Sequence, residues 1–201
     1  LSNNDVINVI CGTASSIVSD NSLSLLLDAA NGTNISGTTW TDLSGNNNHG
    51  TLINGPTYSS TNGGSLVLDG SNDYVDFGNS ASLRAIGGTT NITVSGWAYY
   101  TAYGGGGQSY SVITVKGAPW TWLLENYLDT FRFRIVAGGA DVSVGDVSTH
   151  QLNVWYNVVG TYDGSNMRLY INGVLDGTGS ADSDDIDNTG NLAIGLDGTS
   201  G

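Results

Sequence analysis

Turn dipeptides divide the chain into short, regularly spaced segments, and this feature restricts the possible folds more than any other. Asn-Gly or Asp-Gly pairs stand at positions 54–55, 62–63, 69–70, 163–164, 172–173 and 176–177. These residue types tolerate the positive φ angles of tight hairpin turns. From Leu23 onward, apolar segments alternate with such turns at the spacing of roughly 8–12 residues that is typical of sandwiches and barrels. The pattern predicts an all-β, antiparallel fold.

Composition supports the same fold class and excludes several functions. Lys116 is the only lysine and Glu125 the only glutamate, so the chain lacks the residues that build solvent-facing helices. The formal net charge is −13. Nucleic acid binding needs clustered Lys and Arg, which are absent, and anionic membranes repel such a chain. No apolar segment approaches the ~20 residues of a membrane span, and Cys11 has no partner for an internal disulfide. We therefore expect neither nucleic acid binding nor membrane insertion.

Individual strands show their buried faces in the sequence. Apolar and charged residues alternate over Phe131–Ile135, which predicts a strand with one buried and one solvated face. Met167–Ile171 has the same alternation and continues through Asn172-Gly173, which predicts a hairpin. Val154–Tyr162 is more continuously apolar and is typical of a central strand.

Longer segments carry a family resemblance. They are Trp40–Leu52, Gly64–Asp76, Asn91–Trp97 and Trp155–Val174, followed by Leu192–Gly195. Together they resemble the concanavalin A-like lectin/glucanase superfamily, specifically its laminin-G-like, pentraxin-like branch. The resemblance implies a two-sheet antiparallel jelly-roll sandwich over residues 23–201, with residues 1–22 as an N-terminal extended arm or linker. It also implies one more strand after Leu192–Gly195, so we expect the final family strand to be missing.

The carboxyl groups of the chain do not fit the pattern expected of a glycoside hydrolase. Glycoside hydrolysis usually needs two carboxyl groups flanking the scissile bond. The resemblance implies that hydrolases of this superfamily carry paired glutamates on one strand, yet Glu125 has no acidic partner on its own strand. Neither His49 nor His150 is near a serine nucleophile motif. For His49 we expect a side-chain hydrogen bond to the backbone of its turn. We predict a protein that is not an enzyme.

Two acidic clusters are candidate cation sites. The first comprises Asp69, Asn72, Asp73 and Asp76, whose side-chain oxygens are the kind of ligand that calcium prefers. The family resemblance implies that calcium binds on such loops. The alternative is a plain Asp69-Gly70 turn capped by Asp73. The second cluster, which comprises Asp182, Asp184, Asp185 and Asp187, is better explained as a solvated acidic loop. Calcium is therefore the one cofactor predicted.

Aromatic residues suggest a carbohydrate site, because pyranose C–H faces stack on aromatic rings. Four tyrosines flank the glycine-rich segment 104–107: Tyr99, Tyr100, Tyr103 and Tyr110. Alternation predicts that Trp120 and Trp122 share one face of a strand. We predict ligand binding by Tyr99, Tyr103, Tyr110, Trp120 and Trp122. For the two tryptophans the core is the open alternative, and Trp97 and Trp155 are expected in the core.

Two functions follow from these features. The first is a lectin-like adhesion module that recognises glycans or surface proteins, outside the cell or on a cell or virion surface. The alternative is a structural subunit of a filament, fibre or virion coat. In it, the strand-like arm Asp5–Val18 would enter the open sheet edge of a neighbouring copy, giving a homo-oligomer through residues 1–22.

Overall fold

The computed structural model describes residues 5–10, 23–30, 32–88, 90–102, 110–117, 120–181, 186 and 190–195. For residues 5–10 and for Tyr110 the description covers the backbone. The strands of the first half are β1 (Asp5–Ile10), β2 (Leu23–Asp28), β3 (Ile35–Ser36), β4 (Thr39–Trp40), β5 (Gly50–Ile53), β6 (Thr57–Ser59), β7 (Ser65–Val67), β8 (Tyr74–Gly78) and β9 (Ile92–Tyr99). Those of the second half are β10 (Tyr110–Lys116), β11 (Trp122–Tyr127), β12 (Thr130–Ala137), β13 (Ala140–Gly145), β14 (Trp155–Tyr162), β15 (Asn166–Ile171), β16 (Val174–Ser180) and β17 (Leu192–Ile194).

Helical structure is confined to two short elements in the described residues. A 3₁₀ turn covers Thr61–Gly63, and α1 covers Ala81–Arg84. The Ser80 hydroxyl accepts a hydrogen bond from the Leu83 N–H and so caps α1. Neither helix, nor any other in the described part of the chain, has the length and apolar content needed to cross a membrane.

The strands form two large sheets and a separate hairpin. One sheet has six strands in the order β16-β15-β14-β9-β1-β2, and the other has nine in the order β13-β12-β11-β10-β17-β8-β5-β4-β3. β17 joins the two halves of the nine-stranded sheet, because it pairs with β10 on one side and β8 on the other. β6 and β7 form the hairpin. This antiparallel two-sheet sandwich confirms the predicted fold class.

The core lies between the sheets and follows the predicted alternation. In β12, every second residue is buried, including Phe131, Phe133 and Ile135. β14 lies between β15 and β9, which confirms its central position, and β15 and β16 form the predicted hairpin. Gly160 of β14 lies directly over Phe133, so the two sheets approach closely at this point.

β1 is the exception to antiparallel pairing. It lies between β2 and β9 and runs parallel to both. Every other strand pair in the described ranges is antiparallel. Part of the predicted arm therefore forms a strand inside the six-stranded sheet. Residues 11–22 and 196–201 lie outside the described residues. The prediction that the final family strand is missing concerns the second of these segments and stays a prediction.

Candidate functional site

Three aromatic side chains share the outer face of the six-stranded sheet. β9 and β14 are antiparallel neighbours in which Tyr99 lies opposite Trp155 and Trp97 opposite Asn157. Because alternate residues of a strand face the same side, Trp97 and Tyr99 both point away from the core. Trp97 is 36% exposed and Tyr99 40% exposed, and Trp155 is half-buried beside them. We call Trp97, Tyr99 and Trp155 the aromatic ledge.

The ledge is held in place by ring contacts and amide groups. The Tyr99 and Trp155 ring centroids are 5.3 Å apart at an interplanar angle of 44°. The Tyr99 hydroxyl lies 3.5 Å from Asn153 Oδ1, to which it donates a hydrogen bond. The Asn157 N–H donates to Asn172 Oδ1 at 2.9 Å. The Trp155 indole N–H is buried and meets no acceptor among the described atoms. The site thus combines apolar ring faces with neutral amides.

The position of Trp97 corrects the expectation that it lies in the core. Ile92, Val94 and Ala98 of β9 are buried, which assigns the odd-numbered residues of this strand to the outer face. Counting from Val94 in the sequence would have placed Trp97 outside. The size of the Trp97 side chain predicts burial, because large aromatic residues are usually buried, but its position in β9 prevails. Trp155, also expected in the core, is half-buried for the same geometric reason.

Trp120 and Trp122 lie on opposite sides of the nine-stranded sheet, contrary to the prediction. Trp122 opens β11 and is fully buried in the main core, so its ring offers no face to a ligand. Trp120 precedes the strand and packs on the outer side with Val115 and Leu123. The Arg134 guanidinium covers its ring at 4.6 Å. The cause is a turn in which the Thr121 N–H donates to the Lys116 carbonyl and interrupts the alternation.

The four tyrosines near the glycine-rich segment differ in where they lie and in how much of each is described. Tyr99 belongs to the aromatic ledge. Tyr100 packs against the core, with its ring 6.1 Å from that of Phe131, and its hydroxyl donates to the Ser111 carbonyl. Tyr103 lies outside the described residues, and Tyr110 is described only as a backbone position of β10. Their predicted role in ligand binding stays a prediction.

The acidic segment around Asp69 forms a hydrogen-bonded turn. Asp69 Oδ1 accepts from the N–H groups of Ser71, Asn72 and Asp73 at 2.8, 3.3 and 3.4 Å. These bonds, with that from Ser71 foremost, hold the pKa of Asp69 below its usual value. Asp73 Oδ2 in turn accepts from the Asp69 N–H. The turn therefore matches the alternative of a capped Asp69-Gly70 turn.

Asp76 is occupied by other partners. Its Oδ1 accepts from the Gly78 N–H at 2.8 Å and from Asn191 Nδ2 at 3.1 Å. Among the described residues, no group of three His, Cys, Asp or Glu side chains is arranged to hold a metal ion. Asp182, Asp184, Asp185 and Asp187 lie outside those residues. The calcium site stays a prediction. The turn is held by its own hydrogen bonds and does not need an ion to form.

Glu125 is a buried ion-pair partner on the outer side of the nine-stranded sheet. Its Oε1 accepts from Arg132 Nε at 3.0 Å, and Arg134 Nη1 lies 3.7 Å away. The Arg132 guanidinium also lies 3.9 Å from the centre of the Tyr127 ring. The carboxylate is paired with cations, whereas glycoside hydrolysis pairs it with a second carboxyl group. His49 Nδ1 accepts from the Asp42 N–H, which confirms the expected bond to its turn.

A buried His150–Asp146 pair supports the loop that leads to the ledge. His150 Nε2 lies 2.5 Å from Asp146 Oδ2, which also accepts from the Phe131 N–H. Burial raises the pKa of Asp146, and the hydrogen bond from His150 opposes that rise. The His150 ring packs against Phe131 and Tyr156. No sequence pattern predicts this pair, because neither residue stands in a recognisable motif.

Comparisons with known proteins agree on the fold. The model of a laminin G family, described as belonging to the concanavalin A-like lectin/glucanases superfamily, matches residues 69–201. The binding domain of Paraclostridial Mosquitocidal Protein 1 is similar with a TM-score of 0.67 and 17% identity, over 81% of this chain and 42% of that chain. No curated protein matches the sequence.

Neurotoxin binding domains are similar in the same way. The receptor binding domain of the botulinum neurotoxin C/D mosaic serotype has a TM-score of 0.67 and 20% identity, over 87% of this chain and 43% of that chain. The serotype D ligand binding domain, solved in complex with N-acetylneuraminic acid, has a TM-score of 0.65 and 19% identity, over 87% and 43%. The chain spans less than half the length of these solved chains. At such identities the likeness shows a shared fold.

Proposed function

Since the chain belongs to the concanavalin A-like lectin/glucanase superfamily, we propose that it is a non-enzymatic module that binds carbohydrate. The observation that carries the proposal is the aromatic ledge of Trp97, Tyr99 and Trp155 on an open sheet face. A sugar complex of one similarly folded binding domain supports it by analogy.

The ledge fits the surface chemistry of a sugar ring. A pyranose presents an apolar C–H face, which stacks on an aromatic ring, and hydroxyl groups around its rim. The tilt of 44° between Tyr99 and Trp155 offers two ring surfaces at different inclinations. Asn153 and Asn157 bring amide groups to the same area, and amides both donate to and accept from hydroxyls. This combination of ring faces with a few polar groups is typical of ligand sites.

The charge around the ledge favours a neutral sugar. Beyond the ledge on the same face of β9 and β14, the next two cross-strand pairs are Ser95 with Val159 and Thr93 with Thr161. None of them carries a charge. The nearest arginine in this register is Arg168, opposite Thr161, and it is already bonded to Asp163. We therefore assign hydroxyl recognition, rather than recognition of an acidic group, to the ledge.

We place the module outside the cell, where it would attach to a glycan-bearing surface. The similarly folded proteins named above are binding domains of toxins, which supports this setting by analogy. Adhesion at a cell or virion surface belongs to the same proposal. The alternative prediction, a filament or coat subunit, depends on β1 and not on the ledge.

Ring-removal variants test the site. Trp97→Ala and Trp155→Ala would be compared with the wild-type chain on a glycan array of neutral and sialylated oligosaccharides, and the best binder measured by calorimetry. We expect each variant to lose about tenfold or more in affinity, which corresponds to roughly 1.4 kcal/mol or more.

Trp120→Ala is the matched control. It also removes a tryptophan side chain, one that is half-buried like Trp155. Trp120 lies on the outer side of the other sheet, where Arg134 covers its ring. We expect this variant to bind as the wild type does. Full affinity in both ledge variants, or an equal loss in all three proteins, would contradict the proposed site. Circular dichroism and thermal midpoints would show that each variant is folded.

Calcium is kept as a separate proposal at Asp69, Asn72, Asp73 and Asp76. Calorimetric titration of calcium chloride into the protein tests it directly. Binding heat that is lost in Asp73→Asn would support the site. No heat, or heat that Asp73→Asn leaves unchanged, would reject it. Repeating the glycan measurement in EDTA would show whether sugar binding needs the ion.

A further inference from the structure

The six-stranded sheet contains a gap that one strand fills. β1 (Asp5–Ile10) lies between β2 (Leu23–Asp28) and β9 (Ile92–Tyr99), and it runs parallel to both. Among the described residues, β1 is the strand that connects β2 to the rest of this sheet. We call the space between β2 and β9 the strand slot. Its walls are two backbone edges facing one another.

The β9 wall is fixed independently of β1. β9 pairs with β14 over its whole length, from Ile92 opposite Tyr162 to Tyr99 opposite Trp155. Ile92 and Val94 are buried in the main core. The edge of β9 that faces the slot therefore keeps its place whichever strand fills the slot.

The β2 wall is fixed by the loop that follows β4. The Leu26 N–H donates to Asp42 Oδ1 at 3.0 Å, and the Leu43 N–H donates to the Leu26 carbonyl at 2.8 Å. Asn48 Nδ2 reaches the Ser24 carbonyl at 2.7 Å. The N–H and carbonyl of one strand residue point to the same edge, and successive residues alternate between the two edges. The bonds at Ser24 and Leu26 therefore cover the edge of β2 that lies away from β1. The side chains of Leu25 and Leu27 lie in the main core and anchor β2 there.

An extended segment has to occupy the slot. Without one, the facing edges of β2 and β9 would leave backbone N–H and carbonyl groups unpaired in the middle of a sheet, at a cost in free energy for each group. The slot does not specify which chain supplies that segment. Backbone pairing is the same for a strand from the same chain and for the equivalent strand of another copy.

The connection between β1 and β2 decides between these two sources. Residues 11–22 join the end of β1 to the start of β2. Adjacent parallel strands need a crossover of a dozen or more residues, so this connection has the minimum length for returning within one chain. Short connections at that limit favour exchange between copies, since the exchanged form does not require the tight return.

We propose that the strand slot accepts β1 from a second copy of this chain, so that two copies exchange their N-terminal strands. Reciprocal exchange closes a two-fold dimer. The proposal does not depend on carbohydrate binding. If both hold, the dimer carries two aromatic ledges and gains avidity on a surface that displays many glycans.

Disulfide trapping identifies which copy fills the slot. Asn8 lies opposite Ser95 in the β1–β9 register. The double variant Asn8→Cys with Ser95→Cys, in a Cys11→Ser background, would be oxidised mildly and run on non-reducing gels. We expect a covalent dimer of twice the 20.8 kDa chain mass. A cross-link confined to the monomer would overturn the proposal, and so would the absence of any cross-link.

Two controls keep the result interpretable. The pair Thr93→Cys with Thr161→Cys joins β9 to β14 within one chain and must give a cross-linked monomer under the same conditions. In the unmodified chain, light scattering after size exclusion should show a dimer. An insertion of about six Gly and Ser residues after Ser16 should shift it toward monomer by easing the intrachain return. A wild-type chain that is monomeric at every concentration would also reject exchange.

Discussion

Asp163 shows how a single side chain organises a turn in this fold. Its Oδ1 accepts from the N–H groups of Ser165 and Asn166, and Arg168 donates to its Oδ2 at 2.6 Å. These contacts, with that from Arg168 foremost, lower the pKa of Asp163 to about 2. Because the folded pKa lies below the unfolded one, the stabilisation is present above pH ~4 and is lost as the pH falls through ~2.

We expect an NMR titration of the Asp163 carboxyl carbon to give a midpoint near 2. In Arg168→Gln the midpoint should rise toward the ordinary value of 3.8, because the charged donor is gone. Asp69, whose pKa is lowered by the backbone N–H groups of its own turn and not by Arg168, serves as an internal reference that the substitution should not move. An unchanged Asp163 midpoint in the variant would show that Arg168 does not hold its pKa down.

Lys116 is a buried cation whose pKa is also lowered, here because burial disfavours its charged form. Its ammonium donates to Asn79 Oδ1 and to the Gly190 carbonyl, and burial, with the nearby Arg84 charge, lowers its pKa to about 8. Above pH 8 the unfolded chain holds this proton more tightly than the folded chain does. The free energy of unfolding should therefore rise by about 2 kcal/mol between pH 7.5 and 9.5.

Urea unfolding across that pH range checks the prediction for Lys116. The variant Lys116→Met should lose most of the rise, since it has no proton to release. If the variant and the wild type show the same slope, another group causes the pH dependence.

Single residues were also where sequence interpretation was least successful. Alternation in β12 was readable because Phe131–Ile135 mixes charged with apolar residues. The size of Trp97 predicts a core position, because large aromatic residues are usually buried, whereas its place in β9 puts it on the outer face. Alternation predicts one face for Trp120 and Trp122, but the turn set by the Thr121–Lys116 bond places them on opposite faces, and no local sequence pattern reveals that bond. The His150–Asp146 pair depends on packing against Phe131, a contact between a loop residue and a strand that no local pattern reveals.

At the scale of strands, the close approach of the two sheets is a limiting feature. A Cβ atom at Gly160 would lie 2.3 Å from Phe133 Cγ, which is itself fully buried. We expect Gly160→Ala to lower the free energy of unfolding by about 1–3 kcal/mol, because neither the ring nor the backbone can move without strain.

Gly179→Ala is the matched control for Gly160→Ala. Gly179 lies in β16 of the same sheet, and a Cβ there would be 3.5 Å from the nearest atom, Val144 Cβ, which is an ordinary contact. Urea unfolding of both variants makes the comparison. Equal losses would mean that the effect is a general cost of alanine in these strands and not of the sheet contact.

Strands and hairpins were predictable where turn chemistry marks their ends. The β15–β16 hairpin follows from Asn172-Gly173, and both residues adopt the positive φ that such a turn needs. The insertion of β1 between β2 and β9 was not predictable. Its pairing joins segments far apart in sequence, and parallel neighbours leave no turn signal between them.

At the scale of the whole molecule, charge is the dominant property. A formal net charge of −13 on 201 residues makes the folded chain repel itself. Added salt screens that repulsion over distances near 10 Å at 0.1 M. We expect the thermal midpoint to rise between 10 and 300 mM sodium chloride in scanning calorimetry, with sorbitol at equal osmolality as the control. A midpoint that stays constant or falls in salt would contradict this expectation.

The place of β17 has a consequence for how the chain is made. Leu192–Ile194 lies between β10 and β8, and β8 ends at Gly78. On a ribosome adding 5–20 residues per second, β8 can pair with β5 at once but waits roughly ten seconds for β17 on its other side. During that interval the two halves of the nine-stranded sheet both present bare edges. A chaperone that binds extended, apolar segments would find its substrate in this window, and synthesis that stalls before Leu192 would release a product prone to aggregate.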